Sequence, residues 1–245
     1  MLEDLKKFMG DDESWSNVRD LSHYDIVYRE YSFGTRKTLT HKSFDQYHGL
    51  QSSRGIAVSH ADTVDSILER TSNDILTLSE LDTERINEIS RSVTFIQGEK
   101  TFVEIGFRTP KLMKHYIDNG WYAKGFDIAM MSVEVAKGLG YDAEQYDFND
   151  CTKDLNIGKA NLIVCYHVLE HISDPSVAIR KIYEACPPSV MFHVEVPIEE
   201  DGPRLRYGHM FPFHRNDLRT MLTEAGFTIC LTSTSTGIER YMAMK

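Results

Sequence analysis

Positive charge is scarce in this chain: 27 Lys and Arg stand against 37 Asp and Glu, a formal net charge of −10 over 245 residues. No nucleic-acid partner is expected, because such binding rests on clustered cations. Long apolar runs are missing too. None approaches the roughly 20 residues that span a bilayer, so no membrane partner is expected either. The opening MLEDLKKFMGDDESW lacks the apolar core of a signal peptide, and the expected location is cytoplasmic. Cysteine is limited to Cys151, Cys165, Cys186 and Cys230 with no CxxC pair, which reads as reduced, mostly buried thiols. Internal repeats and low-complexity segments are absent. What remains, 41% hydrophobic and 26% charged, is the balance of a globular protein with a sizeable core.

That length suits one α/β domain with an extension, or two small domains. Residues up to about Gly55 read as irregular, with aromatics and histidines scattered through YDIVYREYSFGTRKTLTHKSFDQYHGL. Two helical patterns follow. Asp62 can cap the first, which carries Val64, Ile67 and Leu68; the second carries Ile86, Ile89, Val93 and Ile96 and stops near Gly98. The division expected is an extension over 1–98 and a ligand-binding domain over 99–245. Aromatics of the extension either close over the substrate opening as a lid or pack on the sheet.

From Phe102 onward strand and helix alternate, the mark of a parallel sheet with helices on both faces. FVEI is the first strand, and its helix carries Leu112, Met113, Tyr116 and Ile117 before Gly120. WYAKGFD is the second, followed by a helix with Met130, Val133 and Ala136. YDAEQYD is third and more polar. ANLIVCY is fourth, a nearly continuous apolar run suited to the sheet centre. Ser173, Asp174 and Pro175 start the next helix. SVMFHVEVP is fifth, and Asn216 can cap a helix with Leu218, Met221 and Leu222 that ends at Gly226. FTICLTSTS and GIERYMAMK are joined without room for a crossover helix, so they are expected to be antiparallel.

Open α/β sheets bind ligands outside the carboxyl ends of their strands. Those ends carry Glu104 and Gly106, then Asp127, then Asp147 and Phe148, then Tyr166, His167 and His171, then His193 and Glu195. Asp127 follows Glu104 by 23 positions (127 − 104), the spacing at which an acid accepts from ribose hydroxyls. Glycine, however, is scarce where a nucleotide-cradling loop needs it. In TFVEIGFRTPKLMKHY only Gly106 is present, and Arg108, Thr109 and Pro110 follow. Arginine removes the backbone permissiveness of a glycine. Thr109 is nevertheless a good N-cap and Pro110 a good first helical residue, so the helix N-terminus keeps its preference for negative charge.

Taken together, these stretches resemble the class I S-adenosylmethionine-dependent methyltransferases. EIGFRTP stands where the family has its glycine-rich first motif, GFDIA where it has its ribose-binding acid, and YDFND where it contacts adenine. NLIVCYHVLEHISDP resembles the fourth-strand motif. MFHVEVP with GHMFPFHRNDLRTMLTEAGFTI is similar to the end of a small-molecule subgroup that includes ubiquinone-pathway O-methyltransferases. The likeness runs from about Thr101 to Lys245. It implies a Rossmann-like seven-stranded sheet, mostly parallel with an antiparallel C-terminal strand pair, with S-adenosyl-L-methionine as cofactor and a small-molecule methyl acceptor as partner. By the same likeness Glu104 would organise the loop beneath the methionine part, with Gly106 in the turn. Asp127 would hold the ribose, Asp147 the adenine amino group with Phe148 beside the base, and Cys165 and Tyr166 would line the cofactor. Asn161 stands in place of an acid often found in the fourth strand, which would weaken a local network. Arg108 either turns to the cofactor's carboxylate or points to solvent.

Methyl transfer asks the protein to align the acceptor, exclude water and accept a proton. Histidine suits the proton transfer near neutral pH. His167, His171, His193, His209 and His214 are available, with His171, His209 and His214 the catalytic candidates, against the plainer reading that each satisfies a helix start or a carboxylate. Tyr207 lies with His209 and His214 in a Gly/Pro-rich loop of the kind that completes an acceptor pocket. No N/D-P-P-Y or Pro-Cys segment follows the fourth strand, which argues against nucleic-acid base methylation. Two other readings compete. HVLEH matches the H-x-x-E-H signature of a zinc peptidase; no third ligand stands at a convincing spacing, though Glu195 or His209 is conceivable, and no metal is expected. A methyltransferase-like module that has lost its cofactor is the other. Oligomeric state has no signature in the sequence.

Overall fold

The computed structural model describes residues 26–30, 37–41, 76–93, 99–150, 152–200, 209–235 and 237–245. The Asp62-capped helix, Cys151, Tyr207 and most of the proposed lid lie outside the described residues. Within the stretch expected to be irregular, strands β1 (Ile26–Glu30) and β2 (Lys37–His41) pair antiparallel, with Ile26 opposite His41. Both segments mix β-branched, aromatic and charged residues without a dominant apolar period, which hides short strands from a periodicity reading.

Helix α1 (Glu80–Ser90) opens with a full capping box: Ser79 accepts from the Asp82 N–H while the Asp82 carboxylate accepts from the Ser79 N–H. It ends at Ser90, well short of Gly98, and buries Ile86 and Ile89 against the sheet. Seven strands follow: β3 (Thr101–Ile105), β4 (Tyr122–Asp127), β5 (Asp142–Gln145), β6 (Leu162–Tyr166), β7 (Met191–Pro197), β8 (Thr228–Ser235) and β9 (Ile238–Met244). Their order across the sheet is β5-β4-β3-β6-β7-β9-β8. All pairs are parallel except β7 with β9 and β8 with β9, so the expected antiparallel C-terminal pair is present. The chain winds from β3 outward to β5, then returns to β6 on the other side of β3. That reversal puts the topological switch point, and the crevice outside the strand ends, between β3 and β6.

The sheet is buried on both faces because residues alternate sides along each strand. Val103, Ile105, Ile163, Cys165, Phe192 and Val194 face one layer, built from α4 (Pro175–Ala185) and α5 (Asp217–Ala225). Phe102, Leu162, Val164 and Met191 face the other, covered by α1, α2 (Lys111–Asp118) and α3 (Met130–Gly138). This alternation decides the site, since Glu104, Tyr166 and Glu195 share the face that α1 and α2 cover.

Several local expectations are corrected. Helix α2 starts one residue later than expected: Pro110 holds the N-cap position and Thr109 makes no side-chain cap. Asn216 holds the N-cap position of α5 as expected, but its side chain makes no capping bond. It takes a left-handed φ of 68° and gives its N–H to the buried carboxylate of Glu239. Ile117 and Met130, placed on buried helix faces, are exposed at the outer turns. Cys165 and Cys186 are buried, but Cys230 is exposed on edge strand β8, where the register shifts. Asn161 takes part in a local link of its own: its Oδ1 accepts from the Thr101 N–H at 2.8 Å and ties β6 to the start of β3. Among the described residues, no helix is long and apolar enough to cross a membrane.

Candidate active site

At the carboxyl end of β3 the chain turns through Gly106 at φ 71°, and the Gly106 N–H donates to the Phe126 carbonyl at 2.7 Å. A Cβ there would stand 2.2 Å from Val168 Cγ2, so both conformation and space demand glycine. Two residues on, Arg108 adopts the left-handed region itself, at φ 48°. A non-glycine residue there costs about 1–2 kcal/mol. A charge-assisted hydrogen bond offsets it: the Arg108 N–H donates to Asp127 Oδ2 at 2.7 Å. Asp127 Oδ1 accepts from the Ala129 N–H at 2.8 Å. One buried carboxylate therefore clamps the loops after β3 and β4 together.

Beside this clamp lies a cavity of about 400 Å³ whose wall includes Asp82, Arg85, Glu104, Arg108, Lys111 and Tyr166. Glu104 is buried and its Oε2 has no hydrogen-bond partner. Burial pushes its carboxyl well above the usual range, Asp82 and Asp127 adding to it, while a backbone hydrogen bond from Met113 and the charge of Arg85 pull the other way. Burial also lowers the Arg108 guanidinium somewhat, against the pull of Asp127. The cavity thus offers one buried acid with an unpartnered oxygen on a wall that also carries Asp82, Arg85, Arg108 and Lys111.

Tyr166 ends β6, and His167 makes the turn with a left-handed φ of 53°. A single 3₁₀ turn follows (Leu169–His171). His167 Nε2 lies 2.8 Å from Glu195 Oε1 and its Nδ1 3.3 Å from Glu170 Oε1. Burial opposes its charge, but the two carboxylates outweigh burial and raise it to about 9, so the ring is cationic at neutral pH. Glu195 is also gripped by Arg85 and by Arg240 Nε at 2.5 Å. Arg240 reaches on to Glu84 at 2.9 Å and Glu88 at 2.7 Å. Arg85 stacks over the Tyr166 ring at 4.3 Å, and the Tyr166 hydroxyl meets His193 Nδ1 at 2.5 Å. Through these pairs α1 is riveted across the strand ends.

Glu104, Gly106, Arg108 and Tyr166 share the cavity wall, with Asp127 directly behind Arg108. Asp147 and Phe148 stand one strand end further along and outside that wall. The Asp147 carboxylate closes a turn by accepting from the Asn149 N–H at 2.8 Å, and the Phe148 ring packs in the core against Tyr146. Cys165 is not a lining residue. Strand alternation turns it into the opposite layer, where it is fully buried. His171 and His209 come together, ring centroids 4.9 Å apart. His214 does not join them; its N–H and carbonyl bind Asp217 at the start of α5. The peptidase arrangement also fails to form, because His167 directs Nε2 to Glu195 and the segment is too short to place both histidines on one helical face. Arg85, Glu170 and Glu199 were not singled out as binding residues from the sequence. Only Glu170, inside HVLEH, carried a local signal.

A methyltransferase domain model matches residues 79–232. Among solved structures, the [4+2]-cyclase SpnF superposes with a TM-score of 0.58 at 16% identity, over 82% of this chain and 95% of that one. A chain from the complex of the Haloferax volcanii Trm112 methyltransferase activator with a methyltransferase gives 0.56 at 12%, over 82% and 97%. A SAM-dependent methyltransferase from Archaeoglobus fulgidus gives 0.51 at 17%, over 75% and 100%. No curated protein matches the sequence significantly. At these identities the structural likeness speaks for the fold, whereas the domain match begins at Ser79, the cap of α1.

Proposed function

This chain belongs to the class I S-adenosylmethionine-dependent methyltransferases, with S-adenosylmethionine as its cofactor, and we propose that it methylates an oxygen or nitrogen of a small-molecule acceptor. The residues present fit that cofactor. Glu104 presents a buried, unpartnered carboxylate oxygen suited to an ammonium group, and Arg108 and Lys111 stand on the same wall for a carboxylate. Gly106 makes the turn of the cofactor loop, Asp127 closes β4 for the ribose hydroxyls, and Asp147 lies at the next strand end for the adenine amino group. Bound there, the sulfonium supplies an activated methyl and a good leaving group.

The observation that carries the acceptor reading is the histidine–carboxylate cluster at the end of β6. It adjoins the cofactor loop through Val168, whose side chain fills the space beside Gly106. Glu199 holds Nδ1 of His209 at 2.5 Å, fixing a ring that would help position the acceptor. His171 stands beside it. Helix α1 supplies Ser79, Asp82 and Arg85 to the cavity wall, which supports a closing role for this part of the segment before residue 99. The acidic net charge favours a small acceptor over nucleic acid.

Calorimetry with S-adenosylmethionine and S-adenosylhomocysteine, followed by mass spectrometry of phenol, catechol and amine panels, tests this reading. Binding of both cofactor forms, with a 14-dalton gain (about one CH₂) on a small acceptor, is expected. Absence of binding to either form would overturn it.

A further inference from the structure

Glu170 is completely buried on the 3₁₀ turn, yet neither of its carboxylate oxygens accepts a hydrogen bond. Burying a carboxylate in that state costs several kcal/mol unless its charge is met. Three imidazoles surround it. His167 is shared: its Nε2 faces Glu195 Oε1 at 2.8 Å and its Nδ1 lies 3.3 Å from Glu170 Oε1. The other two present Nε2 to Glu170 Oε1, each at 4.0 Å: His171 from the same turn and His209 from the strap after β7. Their rings stand nearly perpendicular, at 87°. Nδ1 of His209 is held by buried Glu199, the carboxylate–imidazole pairing that fixes a tautomer and aims Nε2 as a ligand. The strap is itself docked on the turn, since the Met210 and Phe211 N–H groups both donate to the Glu170 carbonyl, at 2.7 and 3.0 Å.

We propose that Glu170, His171 and His209 bind a divalent transition-metal ion, with zinc the best fit. Among the described residues, their ligand atoms all lie within 4.8 Å of one another. Bonds of about 2.0–2.2 Å to a tetrahedral ion place ligand atoms roughly 3.4 Å apart. The site therefore closes on an ion by side-chain rotations of about 1 Å. Two imidazoles and a carboxylate suit zinc and disfavour magnesium, which takes oxygen ligands. Three protein ligands also leave an open position for water or another small ligand. Metal binding here is independent of which acceptor is methylated.

The test uses the full chain stripped with a chelator and titrated with Zn²⁺ by calorimetry. One ion per chain is expected, with no competition from millimolar Mg²⁺. His171→Ala and Glu170→Gln should each weaken binding by about 100-fold or more, and Glu199→Gln by about 10–100-fold. Co²⁺ loaded in place of zinc should give a visible d–d band without a thiolate charge-transfer band. Circular dichroism checks that each variant is folded. If Glu170→Gln is not, His171→Ala and the Co²⁺ spectrum of the parent decide. Failure of the parent to bind zinc, full affinity in His171→Ala, or a thiolate band pointing to a cysteine site would each overturn the proposal.

Discussion

Two glutamates buried to the same degree stand near the ends of adjacent strands, and their surroundings are opposite. Glu195, on β7, is wrapped by Arg85, Arg240 and His167, and its carboxyl is held far below the usual range although burial acts to raise it. Glu170, just past β6, meets no arginine; it faces three imidazoles, the shared His167 at 3.3 Å and His171 and His209 at 4.0 Å. Arginine is permanently charged and forked, so a carboxylate it grips is committed to structure. Imidazole changes charge or takes an ion near neutral pH, so a carboxylate it surrounds stays available for chemistry. The first arrangement fastens α1 to the sheet. The second is the place to look for reactivity.

That contrast can be broken from the structural side first. Arg240→Met removes the cation shared by Glu195, Glu84 and Glu88, and should cost about 3–5 kcal/mol in urea denaturation. A loss below about 1 kcal/mol would show that the network does not fasten α1. Asp127→Ala should weaken S-adenosylmethionine binding by about 10–100-fold in calorimetry, corresponding to the about 1.5–3 kcal/mol of a hydrogen bond to a charged group. An unchanged affinity would separate Asp127 from the cofactor. Arg108→Gly relieves the left-handed arginine and should raise stability by about 1 kcal/mol. The same variant should bind the cofactor more weakly where the guanidinium meets its carboxylate; unaltered affinity would remove that role. Ser79→Ala breaks the capping box and should cost about 1 kcal/mol, seen as loss of helicity and a lower Tm.

Acid titration sharpens the comparison further. Glu88 is lowered from 4.5 to about 2, first by its hydrogen bond to His193, against burial, and then by Arg240. Its folded value lies below its unfolded one, so its contribution is complete above about 4.5 and is lost as pH falls from there toward 2. The parent should lose Tm more steeply between those limits than Glu88→Gln; equal slopes would contradict the linkage.

Much of the architecture was legible because it is periodic. The apolar run of β6, the alternating strands and the acids closing β3 and β4 are local signals, and they led to the sheet and to Glu104, Gly106 and Asp127. The failures share a cause. Tyr166 and Cys165 are neighbours in sequence but face opposite layers, so a motif that includes both assigns one wrongly. His214 and His209 look alike in the same loop, yet one serves a helix start and the other meets Glu170. Arg85 carries no motif, and its partner Glu195 is 110 residues away.

The sequence by itself determined the succession of strands and helices from Phe102 onward and the acids that close the strands, because hydrophobic period and strand-end position are properties of short segments. Tertiary structure alone decided which charges are satisfied. It let Arg108 take a glycine's conformation against Asp127, fastened α1 over the cavity, and left Glu170 among histidines. Those outcomes depend on which side chains share a buried, low-dielectric space, and burial of that kind is written only in three dimensions.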